Sequence, residues 1–289
     1  MSSGLTNQAT LERLATLRAE VAAMRSDIED RFNAGESPRD LIRSLSDQAD
    51  QFVLKLVAQR LSQLPPAAAS QIESQTSIIA IGGCGRREVA PYSDLDLLFL
   101  HDTSPPPEYA TFAADVVRDI WDAGFKLGHS VRTLRDATQM ARQDVEFATS
   151  LVETRHLWGN PILARKLEKS YKSKLIRGRL GTFIDLCTNA RLAEFQPHGW
   201  SAQQLEPDVK NSPGGLRDLH LIRWVGYAKF GVRDFHDLAA AKAIGSEDLE
   251  TLVNGHEFLN RIRLNLHFAA GRAQEVLTRS EQMRLATEW

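Results

Sequence analysis

Cysteine is scarce in this sequence and a long apolar run is missing, and each shortage excludes a class of protein. Cys84 and Cys187 are the only two cysteines among 289 residues. They stand far apart and outside CxxC spacing, so we expect two free thiols rather than a disulfide framework or a zinc site. No stretch approaches the roughly 18 apolar residues of a membrane span, and the first residues lack the features of a secretion signal. The sequence therefore predicts a cytoplasmic protein that does not enter a membrane.

The chain also has no large excess of positive or negative charge. The formal net charge is −2, and aromatic residues make up 7% of the chain. No basic stripe with interleaved aromatic residues could track a nucleic-acid strand, so we expect no nucleic-acid partner. With 43% hydrophobic and 25% charged residues, the composition is that of a folded chain long enough for two packed units. Any phosphate-binding site must therefore depend on a local group of residues rather than on the overall charge of the chain.

Helical spacing dominates the first part of the chain. Apolar residues recur at this spacing over residues 14–32 and again over residues 41–56, which predicts two amphipathic helices. Ser37 and Pro38 are a suitable N-cap and first residue for the second helix. Pro65 and the proline after it indicate a boundary.

The middle of the chain has the pattern of strands. Apolar runs predict strands at residues 78–81, 95–100 and 125–133, and residues 108–123 predict a helix. Beyond residue 133 the pattern predicts helices, with breaks at residues 159–161, 197–200 and 212–215. We therefore expect an α+β fold, in which a small mixed sheet is flanked by N-terminal helices and followed by a helical domain. The predicted domains are residues 1–66, 67–160 and 161–289.

One short stretch, IIAIGGCGRREVAPYSDLDLLFLHD, carries most of the chemistry. Gly82 and Gly83 have no side chain to obstruct a triphosphate, so backbone N–H groups can approach its oxygens. Asp94 and Asp96 are two residues apart on a strand and project from one face, where two carboxylates suit Mg²⁺. The stretch lacks the last glycine of a dinucleotide fingerprint and the Gly-Lys-Ser/Thr of a P-loop. Together these features indicate metal-dependent transfer of a nucleotidyl group.

The pattern GG-x-GR-x-E-x(4)-SD-x-DL resembles the nucleotidyltransferase superfamily that includes DNA polymerase β. Within it, the chain resembles most the bifunctional uridylyltransferase family that modifies the nitrogen-regulatory PII protein. Three further stretches agree with that family, namely GHSVRT, LVETRHLWGN and EPDVKNSPGGLRDLHLIRW. The resemblance extends over nearly all of the chain.

The resemblance implies a Mg²⁺-dependent enzyme that transfers UMP from UTP to a tyrosine hydroxyl of PII. It implies that Asp94 and Asp96 bind the metal and are catalytic. The residues expected to bind the nucleoside triphosphate are Gly82, Gly83, Arg86, Ser93, Lys210 and Arg217. Glu88 matches the acid of the motif, and holding Arg86 or capping a short helix is an alternative role for it.

The general base is not assigned by the sequence. Many superfamily members carry a third carboxylate on the next strand, and here Ser130 stands where that acid is expected. His129, Glu146 and Glu153 are the candidates for the base.

The stretch PDVKNSPGGLRDLH allows two interpretations that are compatible. Lys210 and Arg217 lie at the predicted start of a helix, where an anion is favoured. Alternatively, Ser212 caps this helix and Pro213 is its first residue, with Leu216 and later apolar residues packed inward.

Family members continue into an HD phosphohydrolase domain and paired ACT domains, for which this sequence offers no equivalent. Removal of UMP and sensing of glutamine are therefore not predicted for this chain. Two alternatives to a PII uridylyltransferase remain. The first is a catalytically silent nucleotide-binding regulatory module or a truncated fragment, and the second is a nucleotidyltransferase with another acceptor.

Overall fold

The computed structural model describes residues 2–102, 104–195, 201 and 203–288. These residues form thirteen α-helices and one mixed four-stranded sheet, which confirms the predicted α+β fold. In the described part of the chain, no helix has both the length and the apolar character needed to cross a membrane.

The sheet has the strand order β3-β2-β1-β4. Strand β1 (Thr76–Ala80) pairs antiparallel with both β2 (Leu95–His101) and β4 (Arg155–Gly159). Strand β3 (Leu127–Thr133) pairs parallel with β2, and α5 (Tyr109–Asp122) makes the crossover that parallel pairing requires. The three predicted strands and the helix between the last two are therefore present.

Two elements were not predicted. Strand β4 lies in the region where the sequence pattern predicted only helices, and that prediction was wrong. Its five residues, RHLWG, are too few and too mixed to show an alternating pattern, and pairing with β1 makes them a strand. Helix α3 (Pro66–Gln75) begins at the second of the two prolines that we interpreted only as a boundary. Here proline occupies the first helical position, where its missing N–H costs nothing.

The first compact unit comprises residues 1–137 and 154–167. It contains the sheet together with α1 (Ser2–Asn33) and α2 (Pro38–Leu61). The predicted start of α2 is confirmed, because the Ser37 side chain accepts a hydrogen bond from the Asp40 N–H and Pro38 is the first helical residue. Asp119 of α5 is fully buried and bonds to arginines of both α1 and α2, so these helices are fixed to the helix behind the sheet.

The second compact unit comprises residues 138–153 and 168–289 and is helical. One of its apolar clusters is formed by Leu216, Leu219, Phe235 and Leu238, which confirms that Leu216 and Leu219 pack inward. The predicted break at residues 197–200 lies outside the described residues, and the three predicted domain ranges stay predictions. The remaining helices are α4 (Gly82–Arg86), α6 (Leu134–Gln143), α7 (Val145–Ser150), α8 (Pro161–Tyr171), α9 (Leu180–Phe195), α10 (Leu216–Phe230), α11 (Phe235–Ala240), α12 (Ser246–Ala270) and α13 (Arg279–Glu288), with a 3-10 turn at Leu151–Glu153 and a π-helical turn at Lys172–Ile176.

Candidate functional site

The predicted phosphate-binding glycines form a short helical turn, α4, which we call the glycine turn. It begins directly after β1, and its Gly85 N–H donates to the carbonyl of Ile81 at 3.1 Å. The amides of Gly82 and Gly83 come first in the turn and, as in any helix, have no carbonyl partner within it. Arg87 ends the turn in the left-handed conformation with φ of 58°. The backbone of Gly82 and Gly83 is thus arranged for donation to an acceptor outside the turn.

The two predicted metal ligands lie at the start of β2. Asp94 is exposed and immediately precedes the strand, whereas Asp96 is half-buried within it. Because strand alternation places residues i and i+2 on one face, the two side chains are predicted to share a face of the sheet. In the described chain, no hydrogen bond or ion pair engages the Asp94 carboxylate. This carboxylate is therefore available to a ligand.

The donor set fits a magnesium ion that completes its coordination elsewhere. No group of three or more histidine, cysteine, aspartate or glutamate side chains is placed to hold a metal among the residues that the structure describes. Mg²⁺ binds oxygen ligands and commonly takes only one or two carboxylates from the protein, the rest coming from water and substrate phosphates. Asp94 and Asp96 meet that requirement, while their role as metal ligands stays a prediction.

Gly128 lies beside Asp96 in the neighbouring strand, and no role was predicted for this residue from the sequence. The parallel register of β2 and β3 pairs Asp96 with Gly128. A methyl group at position 128 would overlap the Oδ1 atom of Asp96. The missing side chain therefore leaves room for the carboxylate, and the register that reveals this could not be read from the sequence.

A second contact that was not predicted from the sequence joins the glycine turn to Asp96. The backbone N–H of Asp96 donates to the Sγ atom of Cys84 at 3.1 Å. Cys84 is buried, and burial raises its pKa to about 12, so the sulfur stays a neutral thiol. Both cysteines are free, as predicted. Cys84 therefore positions the backbone beside Asp96.

Arg86 and Ser93 already make contacts within the protein. The Nε of Arg86 donates to Glu88 Oε2 at 2.8 Å, which confirms that Glu88 holds Arg86. The Ser93 hydroxyl accepts a hydrogen bond from the Ala90 N–H at 3.1 Å, which closes the loop before β2. Their contact with a nucleotide stays a prediction.

The structure separates the candidates for the general base. Ser130 pairs with Leu98 in β2 and shares the face of Asp96, which is where the third acid was expected. His129 pairs with Leu97 and lies on the opposite face, so this candidate was wrong for a reaction at Asp96. Glu146 is exposed at the start of α7, and Glu153 is buried in the 3-10 turn. Both glutamates belong to the second unit, as do Lys210 and Arg217.

Lys210 lies in a tightly bonded loop before α10, and Arg217 is the second residue of that helix. The Asp208 carboxylate accepts the backbone N–H of Lys210 at 2.8 Å, and the Arg217 N–H donates to the Lys210 carbonyl at 2.9 Å. The predicted cap was wrong, because Gly215 is the N-cap of α10 and the Ser212 hydroxyl accepts from the Asp208 N–H instead.

Two buried arginines stabilise this loop. Arg191 donates from Nε to Asp218 at 2.6 Å and from Nη1 to the Asn211 carbonyl at 2.9 Å. Arg263 donates hydrogen bonds to the side-chain carboxylate of Glu275. The backbone carbonyl of Glu275 accepts the N–H of Val209 at 2.8 Å. Burial alone would raise the pKa of Glu275, but the nearby His267 ring and the charge and hydrogen bonds of Arg263 outweigh it and lower the pKa to about 2. The loop therefore has a rigid, ion-paired support.

The chain is similar in sequence to proteins of one known family. A family model described as GlnD PII-uridylyltransferase matches residues 188–289. A bifunctional uridylyltransferase/uridylyl-removing enzyme of Cereibacter sphaeroides is 34% identical over 248 residues, which is 86% of this chain and 27% of the relative. The enzyme of the same name from Azospirillum brasilense is 32% identical over 92% of this chain and 28% of its own length. The one from Haemophilus influenzae is 36% identical over 73% of this chain and 24% of its own length.

The chain belongs to this uridylyltransferase family. The resemblance stated from the sequence motifs is therefore confirmed. The chain spans less than a third of the length of these relatives, with 27% and 28% covered in the first two. The aligned segments include most of the chain, and membership of the family thus covers both compact units.

Proposed function

We propose that the chain is a Mg²⁺-dependent nucleotidyltransferase that moves UMP from UTP to a tyrosine hydroxyl of a PII-type signalling protein. The observation that carries this proposal is the position of Asp94 and Asp96 at the start of β2, where the Asp96 N–H donates to the Cys84 sulfur of the glycine turn. The names of the related enzymes support uridylyl transfer. A cytoplasmic location stays a prediction.

The reaction follows from the chemistry of the two substrates. The acceptor hydroxyl oxygen bonds to the α-phosphorus of UTP, the bond from that phosphorus to the oxygen bridging to the β-phosphate breaks, and pyrophosphate leaves. The hydroxyl proton passes to a base. Asp94 and Asp96 would hold Mg²⁺, which supplies positive charge to the phosphate oxygens and favours loss of the hydroxyl proton.

The chain's own residues have distinct parts in this scheme. Gly82 and Gly83 present backbone N–H groups to the triphosphate. Arg86 and Ser93 follow these groups in the motif, and Lys210 and Arg217 are further proposed nucleotide-binding residues. Each part is a proposal that substitution can test separately.

A specific observation favours a second candidate function. Ser130 occupies the place on the Asp96 face where a third carboxylate is expected, and the described residues contain no cluster of three such ligands. A nucleotide-binding module without turnover would need no general base. Transfer to a different acceptor is the other alternative.

Intact-mass spectrometry separates these functions. The full chain is incubated with a PII-type protein, Mg²⁺ and each of the four nucleoside triphosphates in turn. We expect a mass increase of one uridylyl group with UTP, and a loss of at least about 10²-fold in rate for Asp94→Asn because the metal site loses a charged ligand. The thermal midpoint should be unchanged, since the exposed Asp94 carboxylate makes no hydrogen bond or ion pair in the described chain.

Three outcomes would contradict the proposal in different ways. Wild-type turnover in Asp94→Asn would refute the metal site. A mass increase with another triphosphate would refute UTP as the donor. Nucleotide binding without any mass increase would favour the silent module.

A further inference from the structure

Arg155 of β4 reaches the glycine turn from a distant part of the sequence. Its Nη2 donates to the carbonyl oxygen of Cys84 at 2.8 Å, although the two residues are 71 positions apart. The same guanidinium bonds to Asp50 of α2, with Nη1 at 2.5 Å from Oδ2 and Nη2 at 3.1 Å from Oδ1. Arg155 therefore links α2, β4 and the glycine turn.

The glycine turn needs such an external restraint. Three of its five residues are glycine, and only proline is less favourable than glycine in a helix. A single helical turn is also too short to be stable by itself. Its conformation must therefore be set by contacts from outside, and the bond to the Cys84 carbonyl is one of them.

The restraint extends to the predicted metal ligand. Cys84 accepts Arg155 through its carbonyl and the Asp96 N–H through its sulfur. One residue of the turn thus connects the Arg155–Asp50 pair to the backbone of Asp96. A shift of Arg155 would change the position of the Gly82 and Gly83 amides relative to the Asp96 carboxylate.

We propose that Arg155, held by Asp50, is a positioning residue that fixes the glycine turn relative to Asp96. The proposal about conformation rests on these contacts alone, whereas its consequence for turnover rests on the proposed function. The guanidinium is the required group, because its planar set of donors reaches a carboxylate and a carbonyl together. A lysine ammonium at the same place is a single point of charge and cannot reproduce both contacts.

The test compares two Arg→Lys variants at arginines that contact α2. Arg155→Lys removes the link to the glycine turn. Arg60→Lys is the matched control, because Arg60 makes a two-bond contact to the buried Asp119 and none to the turn. Both variants of the full chain are examined by hydrogen exchange of the segment around residues 81–96 and by thermal midpoint.

We expect exchange in this segment to increase about tenfold in Arg155→Lys and to stay at the wild-type rate in Arg60→Lys. Turnover should fall by about 10²-fold in Arg155→Lys, since a misplacement of about 1 Å has that effect. Guanidinium chloride at a non-denaturing concentration should restore part of the turnover of Arg155→Ala. A merely structural role would give no such rescue.

The outcomes distinguish the two proposals. Unchanged exchange at residues 81–96 in Arg155→Lys would overturn the positioning role, whatever the activity. Increased exchange in a chain whose wild-type form transfers no nucleotide would support the positioning role and refute the proposed function. Equal losses of turnover in Arg155→Lys and Arg60→Lys, with no rescue by guanidinium, would also overturn the positioning role.

Discussion

Replacing Gly128 by alanine should impair the site without harming the fold. The added methyl group would overlap Oδ1 of Asp96 in the paired strand, so the carboxylate must rotate away or β3 must shift. Rotation by about 30° from a staggered side-chain conformation costs about 0.5–1.5 kcal/mol. Alanine in place of glycine within a strand raises the free energy of unfolding by about 0.5–1 kcal/mol, which opposes that cost. The two effects on the free energy of unfolding therefore nearly cancel.

The effect on transfer should be much larger. A catalytic group displaced by about 1 Å can lower the rate by about 10²-fold, so we expect that reduction in turnover for Gly128→Ala. Initial rates are measured by intact-mass spectrometry with UTP and a PII-type protein, and the thermal midpoint is measured in parallel. Gly255→Ala is the matched control, because a methyl group there meets no atom within 4 Å.

Two results would refute this reasoning. Wild-type turnover in Gly128→Ala would mean that the Asp96 carboxylate does not need the space over this glycine. A large fall in thermal midpoint, with turnover lost in proportion, would mean that the substitution disturbs the sheet rather than the carboxylate.

Two further predictions concern buried carboxylates that support the units. Asp119→Asn should lower the free energy of unfolding by about 3 kcal/mol, because it removes the charge of a buried carboxylate that pairs with both Arg13 and Arg60, and an unchanged urea midpoint would contradict this. The pKa of Glu275, lowered to about 2 from an ordinary 4.5, predicts stabilisation that is complete above the ordinary pKa and lost as the pH falls toward 2. Glu275→Gln should therefore cost about 3 kcal/mol at pH 7, at about 1.4 kcal/mol per pKa unit, and less at pH 3. A cost that is the same at both pH values in urea titrations would refute the assigned cause.

Local signals in the sequence predicted the parts of the fold that depend on local physics. Ser37 and Pro38 have the chemistry that a helix start requires, and α2 begins there. The apolar run before His101 is long enough to indicate a buried strand, and β2 forms from it. The glycines followed by alternating aspartates predicted where the candidate site lies along the chain.

Nonlocal pairing explains what the sequence could not predict. Strand β4 is recognisable only by its partner, and the exclusion of His129 depends on the register between β2 and β3. The Ser212 cap failed for a similar reason, since the hydroxyl that could cap α10 is bonded to the Asp208 N–H and Gln204 instead. In each case a contact between residues brought together by folding replaced a plausible local one.

The topology of the sheet explains how Arg155 reaches the glycine turn. Strand β1 runs into the turn at Gly82, so its last residue, Ala80, lies next to the turn. Strand β4 pairs with β1 in a register that sets Arg155 opposite Ala80. Any long side chain at that position of β4 therefore projects near the base of the turn, and Asp50 on α2 selects the direction of the guanidinium. The candidate site is thus shaped by strand order and register as much as by the motif that contains its aspartates.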